Sequence, residues 1–124
     1  MDRKFLMTAM GYGILGLILG IYMAASENHG QMVTHTHIML LGFVVSFFYA
    51  AVHKLWLPGN TAKMAKTQFL LHQLGTAGLV AGLYLLYGRY MPAATIGPVL
   101  GVFSVIAFAG FVLMKIMVIK AAKT

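Results

Sequence analysis

Four apolar runs, each long enough to form a full membrane span, follow one another along the chain with only short polar breaks between them. About 20 helical residues cross a hydrocarbon core roughly 30 Å thick. In lipid, every backbone N–H and C=O must be satisfied within the segment, which a helix achieves and an open strand does not. The runs are therefore read as helices over approximately 5–25, 32–57, 61–88 and 93–119. They use nearly all of the 124 residues, so 1–124 is a single transmembrane domain. The expected fold class is all-α: an integral membrane four-helix up-down bundle.

The breaks have local causes. Pro58-Gly59-Asn60 and Gly88-Arg89-Tyr90-Met91-Pro92 combine residues that end helices with residues that begin them. Pro98 falls in the first turns of the fourth run, where proline is tolerated. The first run follows Met1-Asp2-Arg3-Lys4 and exceeds the roughly 7–15 apolar residues of a signal peptide. It is read as a retained span, although Ala24-Ala25-Ser26 has the look of a cleavage site.

Charge supports the same reading. Only 9% of residues are charged, against about 25% in soluble domains. Arg3, Lys4, Lys54, Lys63, Lys66, Lys115, Lys120 and Lys123 fall on one side of the bundle, and Arg89 alone on the other. That asymmetry predicts cytoplasmic N and C termini in an inner (plasma) membrane, with the 58–66 loop on the same side. The net charge of +7 is then a topology signal and a contact with anionic lipid, with no call for a nucleic-acid partner. Trp56, Tyr12, Tyr22, Tyr87 and Tyr90 mostly fall near the span ends, as interfacial aromatics do.

Several chemistries are excluded. There is no cysteine, hence no disulfide, thiolate metal site or covalent heme link. Asp2 and Glu27 flank the spans, so no carboxylate sits in the bilayer to serve a proton or cation pump. Ser46 and Ser104 have no acidic partner for a hydrolytic triad. The ten methionines are spread over every span and read as packing.

Small residues recur at packing intervals: Gly13, Gly16 and Gly20; Gly42, Ser46 and Ala50; Gly75, Gly78 and Gly82; Gly97, Gly101 and Ser104. They suit close approach of helix backbones. Equally, some of them leave space for a flat macrocycle.

The informative residues are five histidines: His29, His35, His37, His53 and His72. His29 belongs to a loop. The other four lie in or at the edge of the membrane, where ionisable groups default to a functional hypothesis and imidazole is a common ligand for iron, copper and zinc. At about 100° per residue, His35 and His53 share a face with Gly42, Ser46 and Ala50, while His37 points elsewhere. Taking the second helix as centred near Val45, His37 and His53 sit about 12 Å from the midplane on opposite sides; His72 lies about 7 Å toward the His53 side. His53 and His72 are thus at similar depth on neighbouring helices, as bis-histidine heme ligation requires. The alternative is an interfacial His53 beside Lys54 and a His72 bonded to a neighbouring backbone or hydroxyl group.

His35-Thr36-His37-Ile38-Met39-Leu40-Leu41-Gly42-Phe43 resembles the second-helix motif of small four-helix membrane proteins related to heme-copper oxidase subunit I. Leu71-His72-Gln73-Leu74-Gly75 resembles their third-helix motif. The likeness covers about half the chain, and departs from the pattern at Met39 and Gln73, where asparagine is expected, and at Phe43, in place of tryptophan. It implies b-type heme with His37 in the position of an oxidase-like ligand. The oxidases' copper-binding histidines have no counterpart, so the expectation is a cytochrome b-like heme protein and not a complete oxidase.

Two sites follow: an inner one of His53 and His72, and an outer one at His37 completed by His37 of a second copy, by His35, or by Met23 or Met32. The expected role is electron transfer, with quinol or a redox protein as partner, or sensing of a small gas, in a bilayer-embedded homodimer. Two other readings stay open. One is a copper- or zinc-binding or transport protein using His29, His35 and His37. The other is a structural small subunit of a membrane complex.

Overall fold

The computed structural model describes residues 1–57 and 62–122, and all its regular elements are helical. Pro58-Gly59-Asn60, the expected break, lies outside the described residues. The helices are α1 (Asp2–Ser26), α2 (Met32–Trp56), α3 (Ala62–Tyr87) and α4 (Ala93–Ala122), each long and apolar enough to cross a membrane. α1 begins at Asp2 and not Phe5, because a carboxylate in the first turn suits the positive end of the helix dipole. α4 continues to Ala122, beyond the expected end at residue 119.

α1 packs mainly on α2, and α3 mainly on α4. Gly20 meets His35, Gly16 meets Ile38 and Met39, Gly13 meets Phe43, and Phe5 meets Tyr49, so positions fall along α1 as they rise along α2. Gly75 against Ala107, Gly78 against Phe103 and Gly82 against Leu100 give the same pattern between α3 and α4. Gly75 is the tightest in kind: a Cβ there would lie 2.6 Å from the backbone nitrogen of Ala107. The small residues of α1, α2 and α3 therefore bring helices together. On α4 this is done by Ala107 and Gly110, whereas Gly97 and Gly101 face open space and Ser104 is exposed.

α2 is not a uniform α-helix. Its ends, Met32–His37 and Ser46–Trp56, are α-helical, while Ile38–Val45 forms a π-helix. The expectation of about 100° per residue assumed an α-helix throughout; the i→i+5 bonding of a π-helix makes a wider turn. Gly42 lies inside this segment, where its missing side chain admits the ring of Tyr12. Tyr12 is thereby drawn into the middle of the bundle, away from the span ends.

A core of Phe5, Tyr49, Ala50, Val52 and Met114 joins α1, α2 and α4. Outward, Ile21, Leu55, Val105 and Phe108 are all more than half exposed, a surface that suits lipid and not water.

Candidate functional site

Ser46 opens the last α-helical stretch of α2, with Tyr49 and His53 following at intervals that keep all three on one buried face. α3 answers with Gln68, His72 and Thr76 at four-residue spacing, all fully buried. Phe5 enters from α1 and Gly110 from α4, so every helix contributes.

His72 is the centre. Its Nε2 lies 2.8 Å from the Ser46 hydroxyl and its Nδ1 3.4 Å from that of Thr76. The Tyr49 ring meets the imidazole edge-on at 4.9 Å, and Phe5 lies 5.9 Å away. His53 stacks on the same Phe5 ring at 5.5 Å. The structure thus brings His53 and His72 onto one phenyl ring.

Among the described residues, two buried polar atoms here have no partner: His53 Nε2 and Gln68 Oε1. The Gln68 amide nitrogen donates to the carbonyl of Gly110 at 3.2 Å. Buried orphan atoms are rare in native proteins and call for an explanation such as a bound group or water.

The remaining histidines lie elsewhere. His35 Nδ1 is 2.8 Å from the carbonyl oxygen of Gly16, about 16 Å along α1 from Phe5. His37 Nδ1 is 2.9 Å from the carbonyl oxygen of Val33 in its own helix. A carbonyl only accepts, so in both rings Nδ1 carries the proton and donates, leaving the lone pair on Nε2. That is the tautomer a metal-ligating histidine needs. His29 is exposed. Among the described residues no three His, Cys, Asp or Glu side chains converge, so His29, His35 and His37 do not come together as a three-ligand cluster.

The inner pair can be tested as a heme site. Its donors suit iron: His53 offers an unpartnered buried nitrogen, and a serine hydroxyl is a weak competitor at His72. Space is the obstacle. Phe5 is fully buried against both imidazoles, so its ring occupies space beside them that a macrocycle would need. The large open volume, about 1330 Å³, lies instead between α1 and α3 toward Arg89, and no histidine lines it.

Sequence reasoning reached His53 and His72 but missed Phe5, Tyr49, Gln68 and Thr76. The polar pair was legible, since Gln68 and Thr76 flank His72 at i−4 and i+4. Phe5 carried no signal, being one apolar residue among many.

No family model, curated protein or solved structure matches the chain.

Proposed function

We propose that the chain is a membrane-embedded b-type heme protein, working in electron transfer or small-gas sensing from a four-helix up-down bundle. The observation that carries this reading is the pairing of His53 and His72 on one buried phenyl ring, with His53 Nε2 lacking any partner. The motif around His35 and His37, and that around His72, lend the reading its oxidase-related character. The charge asymmetry supports an inner-membrane orientation with both termini cytoplasmic.

His53 and His72 would hold the iron of an inner heme, and Phe5 is the residue that must give way. A bound heme supplies one-electron chemistry and, with a ligand position open, gas binding. The chain's own contribution is to exclude water, through Tyr49, and to orient His72 through the Thr76 hydroxyl at Nδ1, while Ser46 yields Nε2 to the iron. His37, its Nε2 lone pair set by the bond to Val33, would hold an outer heme with its counterpart in a second copy. Gly11 on α1 and Gly97 and Gly101 on α4 are open to such a neighbour. Quinol or a redox protein is the electron partner.

The test is a reduced-minus-oxidised absorption spectrum of protein purified with heme available. Sharp α and Soret bands in the wild type, reduced by at least half in His72→Ala but unchanged in His29→Ala, are expected. Bound copper or zinc without heme would favour the metal-binding reading, and neither group the structural one.

A further inference from the structure

The open volume near Arg89 has an origin in helix packing. α1 is committed to α2 and α3 to α4, and α1 and α3 are tied by the Gln73 amide donating to the Thr8 hydroxyl at 3.2 Å. Beyond that bond, toward Arg89, a groove separates them. Ala77 and Ala81 keep the α3 wall low, and both are exposed, so the groove opens sideways to the surroundings. At about 1330 Å³ it exceeds the roughly 300–1,000 Å³ of ordinary small-molecule pockets. A metal ion or a gas would leave it almost empty.

Its lining changes along its length. Its walls are mostly aliphatic, with Leu15, Ile18 and Leu19 from α1 and Val80 and Ala81 from α3, while α2 contributes the buried Ile38 and Thr34. The mouth is polar and aromatic, formed by Tyr22, Asn28, Gln31, Tyr84, Arg89 and Tyr90. Gln31 is fixed there by donating to the carbonyl of Tyr84 at 3.1 Å, and Tyr84 stacks on Tyr90 at 5.8 Å. Arg89 makes no ion pair among the described residues, and Glu27, the carboxylate at this end, does not line the groove. The chain holds Arg89 at φ 62°, a left-handed conformation that its neighbour Gly88 would adopt more readily.

An aliphatic slot open to lipid, capped by a lone guanidinium and hydrogen-bonding groups, matches one chemistry. We infer that the α1–α3 groove seats an anionic phospholipid, with an acyl chain along the aliphatic walls and the phosphate at Arg89. Guanidinium pairs with phosphate through two parallel hydrogen bonds, whereas a neutral ligand would leave it unpaired. No histidine takes part, so the site stands or falls independently of heme.

The experiment is native mass spectrometry of the purified full chain from neutral detergent, supplied with equal amounts of phosphatidylglycerol and phosphatidylcholine. Wild type should retain one phosphatidylglycerol in preference to phosphatidylcholine by about tenfold, the order of one charge-assisted contact. Arg89→Gln should lose that preference, and Arg89→Lys should keep part of it. Ala81→Trp, which fills the slot, should lose both lipids while retaining wild-type helix content by circular dichroism. The other eight lysines and arginines of the sequence also attract anionic lipid, and all remain in Arg89→Gln. Preference surviving in that variant would therefore belong to them and overturn the proposal. Displacement of the lipid by an equimolar isoprenoid quinone would assign the groove to a neutral redox carrier, and overturn it as well.

Discussion

Phe5 and His53 stack with their ring centroids 5.5 Å apart and their planes only 23° from parallel, so the first turn of α1 lies face to face with the end of α2. The same phenyl ring also lies 5.9 Å from His72, so one apolar side chain contacts both imidazoles.

Replacing Phe5 by alanine should therefore have two opposite effects. The heme-free protein loses a fully buried side chain and should be less stable by about 3 kcal/mol, read by unfolding in a mixed-detergent titration. Heme uptake into the same variant should be faster than into wild type. Slower or absent uptake in a folded Phe5→Ala protein would show that the ring does not block the site.

Gly75→Leu should push α3 from α4, because even a Cβ at this position meets the backbone of Ala107. A loss of about 1–3 kcal/mol is expected from overpacking of this kind. Gly97→Leu and Gly101→Leu meet open space within the chain and should leave the monomer's stability unchanged. Equal losses at all three positions would mean that α4 turns a different face to α3.

His37→Ala should lose an outer heme and weaken the dimer together, while leaving any heme of His53 and His72 in place. Size-exclusion chromatography with absorbance at the Soret band reads both at once. A monomeric wild type with its full heme complement would end the dimer-bridged version of the outer site.

Orientation is checked by reporter fusions. A reporter at the C terminus should remain cytoplasmic, and one inserted beside Arg89 should be external. The reverse result would invert the depth assigned to every histidine.

The four spans were legible because a membrane helix is specified by length and apolarity, which a sequence carries openly. The buried stripe of Gly42, Ser46 and Ala50 was legible too, through its spacing, and so was the placing of His53 and His72 in one part of the bundle, where both meet Phe5. What lay beyond reach depended on contacts between helices. Nothing in the residues near Phe5 marks it as the ring shared by two imidazoles, since that depends on how α1 leans on α2. The same holds for Ser104, Gly97 and Gly101, whose spacing equals that of the packed glycines but whose helix presents another face. The wide turns of Ile38–Val45 also escaped notice, because the apolar side chains there fit either kind of helix.

Those wide turns give α2 a property that its neighbours lack. Removing one residue from a uniform helix swings everything beyond the deletion by about 100°, which in α1, α3 or α4 would carry an entire buried face out to lipid. In α2 the slack stored between Ile38 and Val45 can be drawn in as π turns tighten toward α. Ser46, Tyr49 and His53 would then keep their bearing toward α1 and α3. Chain length is thus most expendable between the two histidine-bearing ends of this helix, where substitution alone would never reveal it.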